Sequence, residues 1–124
     1  MKTILVVDDE FALVDTLKDF LEAVGYRVDV AHNGAEALEA IALSRPDLVI
    51  TDLMMPIMGG KELLATIRAD PALAAIPAIL VSAARRQVAI PAGAEFPSFS
   101  KFLRKPFTLK PLMDAIAELI GPGG

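Results

Sequence analysis

Short apolar runs alternate with longer amphipathic segments along the whole chain. The apolar runs are rich in valine and isoleucine, residues that favour strands, and each is bounded by turn-forming residues. They predict five strands at residues 3–7, 27–31, 48–51, 78–82 and 99–103. Three of these runs are nearly continuous in hydrophobic residues, a pattern typical of parallel strands that are covered by helices on both faces.

The segments between the strands carry apolar residues at helical spacing. They predict helices at residues 11–24, 35–43, 61–69 and 109–120, the last with Thr108 as its N-cap. A further helix is expected in residues 83–98, but Pro91, Gly93 and Pro97 leave room for only about two turns. We therefore expect a short or irregular fourth helix.

Strict alternation of strand and helix is typical of an α/β fold with a doubly wound parallel sheet. No domain linker, internal repeat or low-complexity segment interrupts the pattern before the C-terminal tail. The sequence predicts one domain at residues 1–120, followed by a flexible tail at residues 121–124 that is rich in glycine.

Composition excludes several classes of protein. Of the 124 residues 54% are hydrophobic and none is cysteine, which excludes a disulfide-stapled fold and a cysteine-ligated zinc site. No apolar run approaches the roughly 20 residues of a membrane helix. The N-terminal apolar run meets Asp8 and Asp9 too soon for a signal peptide. We expect a cytoplasmic protein that does not insert into the membrane.

Charge is distributed unevenly between the two halves of the chain. Residues 1–62 hold 12 acidic and 5 basic side chains, a balance of -7, whereas residues 63–124 hold 4 and 7, a balance of +3. A net charge of -4 argues against direct binding of nucleic acid, because phosphate backbones are usually bound by clearly basic domains. A local basic face for a protein partner remains open.

Polar side chains collect at the carboxyl ends of four predicted strands, where open α/β sheets bind their ligands. Asp8 and Asp9 follow the first strand, Asp52 the third, Ser82 ends the fourth, and Lys105 follows the fifth. Each residue taken alone is more often an ordinary turn or cap. Their joint placement at successive strand ends favours a functional site.

Three carboxylates brought together repel one another unless a cation lies among them. Oxygen ligands suit Mg²⁺, whereas zinc is poorly served because His32 is the only imidazole. Such a site is equipped for phosphoryl transfer to a carboxylate. Asp52 would be the nucleophile, and Ser82 and Lys105 would each hold a phosphoryl oxygen.

These motifs resemble the receiver domains of two-component response regulators over nearly the whole chain. The matching motifs are the pair Asp8-Asp9 after an apolar strand, Asp52 followed by the segment 55–60 (Met-Pro-Ile-Met-Gly-Gly), Ser82-Ala83, and Lys105-Pro106-Phe107. The resemblance implies a flavodoxin-like strand order 2-1-3-4-5. It implies signal transduction by an aspartyl phosphate, so that the chain would be a phosphoprotein.

The resemblance also assigns roles to residues. Asp52 would accept a phosphoryl group from a phosphohistidine, and Asp8, Asp9, Asp52 and the backbone carbonyl of Met54 would bind Mg²⁺. Ser82 and Phe102 would form the switch, and Lys105 and Ser82 would bind the phosphoryl group. The family often has a cis peptide bond at the position of Pro106.

The expected switch would alter a surface formed by residues 83–98, the fifth strand and the last helix. That surface carries four cationic residues, Arg85, Arg86, Lys101 and Arg104. The chain departs from the family in having Phe102 where tyrosine is more common and Gly59 where aspartate is usual. Met54 and Ala84 cannot orient an attacking water through their side chains, which predicts slow self-dephosphorylation.

The implied partners are a sensor histidine kinase or a histidine phosphotransfer protein, and a downstream protein effector. The chain could be a stand-alone regulator or a phosphorelay intermediate, and its only chemistry would be on itself, so we do not expect an enzyme. One alternative is an interaction module that works without phosphorylation. The other is a small Mg²⁺-dependent phosphohydrolase of the haloacid dehalogenase type, whose usual Asp-x-Asp spacing is absent at Asp8-Asp9-Glu10.

Overall fold

The computed structural model describes residues 1–123, and Gly124 lies outside the described residues. The strands are β1 (Thr3–Val7), β2 (Arg27–Ala31), β3 (Leu48–Asp52), β4 (Ala78–Ser82) and β5 (Lys101–Arg104). The helices are α1 (Phe11–Ala23), α2 (Gly34–Leu43), α3 (Gly60–Ala69), α4 (Arg86–Ala89) and α5 (Leu109–Ile120). None of these helices is long and apolar enough to cross a membrane. The predicted boundary between a domain of residues 1–120 and a tail of residues 121–124 stays a prediction.

The five strands form one parallel sheet in the order β2-β1-β3-β4-β5, which confirms the predicted fold class and strand order. In this register Val7 lies beside Thr51, and Asp52 lies beside Val81. Ser82 in turn lies beside Arg104. The carboxyl ends of four strands therefore meet at one edge of the sheet.

Hydrophobic side chains cover both faces of the sheet because successive strand residues point to opposite sides. On one face Ile4, Val6, Ile50 and Val81 pack with α1 and α5. On the other face Leu5, Val49 and Leu80 pack with α2 and α3, and their cluster includes Leu63 and Ile67. This arrangement agrees with the predicted helices on both faces.

Side-chain hydrogen bonds mark the starts of α2 and α3, whereas the predicted cap of α5 makes none. Asn33 Oδ1 accepts a hydrogen bond of 2.9 Å from the Glu36 N–H at the start of α2. Glu62 Oε2 accepts one of 3.0 Å from the Gly59 N–H before α3. Thr108 occupies the N-cap position of α5, but its side chain makes no capping hydrogen bond within residues 1–123. Because Thr108 is exposed, water can satisfy the first amides of this helix.

The region after β4 differs most from a regular βα unit. The α4 helix has four residues and ends before Pro91, which confirms the expected short fourth helix. The β5 strand begins at Lys101, two residues later than predicted, because the ladder with β4 starts where Ile79 pairs with Lys101. Immediately before it, the Ser100 N–H donates to the Ala78 carbonyl oxygen at 2.8 Å.

Candidate functional site

The sheet brings the predicted site residues to a single edge. Asp8 follows β1, Asp52 is the last residue of β3, Ser82 is the last residue of β4, and Lys105 follows β5. Asp8, Asp52 and Ser82 are buried, with exposed fractions of 4%, 9% and 4%, whereas Asp9 is exposed. These three buried polar side chains need partners, because burying a polar group or a charge without one is costly.

The three aspartates form one cluster. One carboxylate oxygen from each of Asp8, Asp9 and Asp52 lies within 4.8 Å of the other two. Backbone amides orient two of the side chains: Asp8 Oδ1 accepts from the Glu10 N–H at 2.9 Å, and Asp52 Oδ1 accepts from the Leu53 N–H at 2.9 Å. The second oxygen, Oδ2, of each of these two carboxylates faces the Lys105 ammonium.

Lys105 is the cation of this cluster. Its Nζ lies 2.7 Å from Asp8 Oδ2 and 3.6 Å from Asp52 Oδ2, so it contacts Asp8 more closely than the predicted phosphoacceptor. Its backbone is tied to the sheet because the Lys105 N–H donates to the Ser82 carbonyl oxygen at 2.8 Å. The peptide bond between Lys105 and Pro106 is cis.

The electrostatics of the cluster follow from burial and from these distances. Burial raises the pKa of Asp52, and repulsion from Asp8 raises it further, while attraction to Lys105 and the Leu53 N–H oppose the rise. Burial alone would lower the pKa of Lys105, but the hydrogen bond to Asp8 and the attraction of Asp52 more than offset it, so the pKa is raised. The lysine is therefore held in its charged form, and ionised Asp52 lacks full compensation.

The donor set fits a hard divalent cation. All the clustered ligands are carboxylate oxygens, and Mg²⁺ prefers oxygen ligands and retains several waters. An added dication would also relieve the repulsion that raises the pKa of Asp52. The predicted ligand role of the Met54 backbone carbonyl stays a prediction; the side chain of Met54 is 76% exposed.

The loop after β3 is positioned by features that the sequence prediction did not assign. A Cβ atom at Gly60 would lie 2.3 Å from the Asp52 carbonyl oxygen, so only glycine allows α3 to begin this close to the site. The Gly34 N–H donates to the Met58 carbonyl oxygen at 2.7 Å, which links the loop to α2. Ile57 adopts a φ of 70°, a left-handed conformation that is unusual for a β-branched residue. The Gly59-Gly60 pair was the signal in the sequence for this close approach.

The two predicted switch residues lie in different surroundings. Ser82 Oγ accepts a hydrogen bond of 3.1 Å from the Ala84 N–H, which leaves its own O–H as a donor. Phe102 is half-buried and packs against the cluster that faces α2 and α3. The structure thus brings Asp8, Asp9, Asp52 and Lys105 together, with Ser82 at the same edge and Phe102 within the neighbouring strand.

Comparison with known proteins agrees with this geometry. A family model of the response regulator receiver domain matches residues 4–117. The chain belongs to this family. It is 37% identical over 119 residues to the response regulator MprA of Mycobacterium ulcerans, an alignment that covers 94% of this chain and 49% of MprA. The chain therefore spans about half the length of the curated regulators that it matches.

Solved structures of receiver domains have the same fold. The signal receiver domain of a signal transduction histidine kinase from Syntrophus aciditrophicus superimposes with a TM-score of 0.88 at 32% identity, covering 97% of this chain and 90% of that one. A putative response regulator from Chloroflexus aurantiacus gives a TM-score of 0.86 at 30% identity, covering 95% and 96%. These receiver domains thus share the fold described above.

Proposed function

We propose that this receiver domain accepts a phosphoryl group on Asp52 in the presence of Mg²⁺ and thereby switches a protein-binding surface. The observation that supports the proposal is the convergence of Asp52 with Asp8, Asp9 and Lys105 at one edge of the sheet. A buried carboxylate beside a charged lysine and two further acids is suited to accept a phosphoryl group once a cation balances the charge.

The transfer would proceed from a phosphohistidine of a sensor histidine kinase or a histidine phosphotransfer protein. A carboxylate oxygen of Asp52 attacks phosphorus, a P–O bond forms, the P–N bond breaks, and the imidazole leaves and takes up a proton. Asp8, Asp9, Asp52 and the Met54 carbonyl would hold Mg²⁺, which supplies positive charge to the transferring oxygens when bound. Lys105 would move part of the way from Asp8 toward a phosphoryl oxygen and neutralise its charge.

The signal would pass from the phosphoryl group to the surface through Ser82. The Ser82 O–H would donate to a phosphoryl oxygen, and Phe102 on the neighbouring strand would move into the space beside it. The altered surface comprises residues 83–98, β5 and α5, and a downstream protein effector would recognise it. The domain would work in the cytoplasm as a regulator or as a phosphorelay intermediate, without acting on any substrate other than itself.

The direct test is the mass of the intact chain after incubation with acetyl phosphate. We expect a gain of about 80 Da, one phosphoryl group, that requires Mg²⁺ and is absent in Asp52→Asn. Asp47→Asn is the matched control. Asp47 is also an aspartate, but its carboxylate accepts a hydrogen bond from the Thr3 N–H and is not part of the acidic cluster. No gain in the native chain would favour the interaction module, and turnover of a small phosphate ester would favour the phosphohydrolase.

The lifetime of the phosphoryl group tests a second part of the proposal. Met54 and Ala84 flank the site and offer no side-chain hydrogen bond to orient a water for attack on phosphorus. We expect slow self-dephosphorylation, measured as the decay of the phosphorylated mass after the donor is removed. The substitution Met54→Asn would supply such a group and should shorten the lifetime; an unchanged or longer lifetime would contradict this explanation.

A further inference from the structure

A pocket of about 380 Å³ opens beside the acidic cluster, between the start of α1 and the turn that follows β5. Its walls are mainly apolar, and its two charged lining residues are one acid and one cation. The lining residues, which define the side pocket, are Glu10, Leu13, Ala83, Lys105, Pro106 and Phe107. A pocket of this size and composition can hold a small ring.

Lys105 connects the side pocket to the predicted phosphoacceptor. It lines the pocket, and its Nζ lies 3.6 Å from Asp52 Oδ2. A phosphoryl group on its way to Asp52 would therefore lie next to the ammonium of Lys105. The side pocket is adjacent to that position, so the charges on its wall act on whatever group leaves phosphorus during the transfer.

Glu10 occupies the N-cap position of α1, where a serine, threonine, asparagine or aspartate side chain usually accepts a hydrogen bond from the first turn. The Glu10 side chain makes no such bond. Its backbone is fixed, because its N–H donates to Asp8 Oδ1 at 2.9 Å and its carbonyl oxygen accepts from the N–H groups of Leu13 and Val14 at 3.1 Å. The start of the Glu10 side chain is thus held beside the site, while its carboxylate does not serve the helix.

The exposed Glu10 carboxylate has no ionic partner of its own. Within residues 1–123, no basic group lies within 4.0 Å of it, and it is not one of the three clustered acids. Its charge is close enough to attract the Lys105 ammonium without contact. Glu10 thus adds a fourth negative charge beside a site that would bind a phosphoryl dianion. This charge weakens the binding of a donor unless the donor itself carries positive charge.

We propose that Glu10, on the wall of the side pocket, selects phosphodonors whose leaving group is a protonated nitrogen base. The inference rests on the proposed function and names the donor class of that site: phosphoramidates, which include phosphohistidine, in preference to acyl phosphates. In such a donor one ring nitrogen binds phosphorus and the other carries a proton. The Glu10 carboxylate accepts a hydrogen bond from that N–H and stabilises the positive charge of the ring.

The transfer step balances without a further reactant. A carboxylate oxygen of Asp52 forms a bond to phosphorus, the P–N bond breaks, and its electron pair stays on the ring nitrogen. The proton that the imidazole takes up is bound at its second nitrogen before the P–N bond breaks, so a neutral imidazole leaves. An acyl phosphate instead releases a carboxylate, which gains negative charge as it leaves. Glu10 therefore favours the first class of donor and disfavours the second.

The experiment compares phosphoimidazole with acetyl phosphate as donors to the full chain at saturating Mg²⁺, by the initial rate of gain in intact mass. Glu10→Gln removes the charge and keeps the shape of the side chain. It should slow phosphorylation by phosphoimidazole about tenfold, the effect of one charge-assisted hydrogen bond, and speed phosphorylation by acetyl phosphate about twofold. The matched control is Glu39→Gln, at an exposed glutamate on α2 outside the acidic cluster, which should change neither rate by more than about 1.5-fold.

The ratio of the two rates separates charge selection from a structural effect. A fold defect or weaker Mg²⁺ binding slows both donors alike, whereas loss of the Glu10 charge shifts them in opposite directions. Glu10→Lys should lower the ratio of the phosphoimidazole rate to the acetyl phosphate rate further than Glu10→Gln does. Equal changes in both rates, no change in either, or a native ratio in Glu10→Lys would overturn the role of Glu10 and leave the proposed function standing. No mass gain from either donor in the native chain would overturn the proposed function and this inference with it.

Discussion

The strands that carry the acidic cluster, here called the chemical region, and the segment that follows β4 differ in how deeply their residues are buried. Every residue of β1, β3 and β4 is buried, whereas each residue of β5 is half-buried or exposed. The α3 helix buries four residues and α4, within its four, buries none. The first region holds the acids and α3 rigidly in place, and the second consists of loop, one helical turn and an edge strand.

This difference matches what the proposed function would require of each region. Phosphoryl transfer needs carboxylates and a lysine held within fractions of an ångström, which packed strands provide. A surface that changes with phosphorylation needs a small free-energy difference between conformations, which a segment with few buried contacts provides. Under the proposed function, the packed strands would hold a fixed chemical site and the segment after β4 would form an adjustable surface, with Ser82 and Phe102 between them.

The largest expected contrast is in stability. Leu80→Ala removes a fully buried side chain from the centre of β4 and should lower the free energy of unfolding by about 2–5 kcal/mol. Val88→Ala, in α4 where the side chain is 70% exposed, should change it by no more than about 0.5 kcal/mol. Urea unfolding followed by circular dichroism measures both. Similar losses in the two variants would mean that the regions do not differ in packing.

An intermediate effect should come from removing charge from the chemical site. Without Mg²⁺, ionised Asp52 is disfavoured by burial and by Asp8, so its pKa is raised in the folded chain. Asp52→Asn should therefore stabilise the metal-free fold, by about 0.5–2 kcal/mol, a common range for single stabilising substitutions. Added Mg²⁺ should stabilise the native chain more than the variant. Lower stability of the variant in metal-free buffer would contradict this assignment of repulsion.

The same shift gives a pH dependence with a defined sign. Because the folded pKa of Asp52 lies above the unfolded one, the unfolded chain loses its proton first as the pH rises. As the pH rises from the unfolded pKa through the raised folded pKa, the contribution of Asp52 to stability therefore falls. Above the folded pKa this contribution is constant. The stability difference between Asp52→Asn and the native chain should grow across that interval in metal-free urea titrations. A difference that shrinks as pH rises would refute the sign.

The smallest effect concerns the loop that joins the site to α3. Ile57 has a φ of 70° and a side chain that is 86% exposed, so its conformation costs energy that side-chain burial does not recover. Ile57→Gly removes a left-handed penalty of about 1–2 kcal/mol and adds about 0.5–1 kcal/mol of chain entropy cost. Urea unfolding should show a net gain of up to about 1.5 kcal/mol. Ile57→Ala keeps the Cβ atom and should show no gain; equal behaviour of the two variants would rule out backbone strain.

The sequence predicted the chemical region more closely than the segment after β4, for a physical reason. The short apolar runs of β1 and β4, bounded by turn residues, indicated buried strands, and their predicted bounds agree with the structure. The β3 strand was predicted to end one residue before Asp52, which pairs with Val81 although it is polar. Strand order followed from family resemblance, since alternation alone allows other orders.

Features that depend on distances between segments far apart in the chain could not be predicted from the sequence. The start of β5 is fixed by two hydrogen bonds between Ser100 and Ala78, one donated by each backbone N–H, rather than by hydrophobic pattern. The closer pairing of Lys105 with Asp8 depends on differences of about an ångström between side chains on separate strands. Arg68 reads as an ordinary surface cation, but it donates to carbonyl oxygens from two loops.

Hydrogen exchange with and without acetyl phosphate, in Mg²⁺, tests most directly whether phosphorylation at the fixed site alters the adjustable surface. Amides of residues 83–104 should change their exchange rates in the native chain, while those of β1, β3 and α3 stay protected in both conditions. Asp52→Asn should show no change anywhere. A native chain that gains the phosphoryl mass without any change at residues 83–104, or that changes mainly in β1 and α3, would contradict the account.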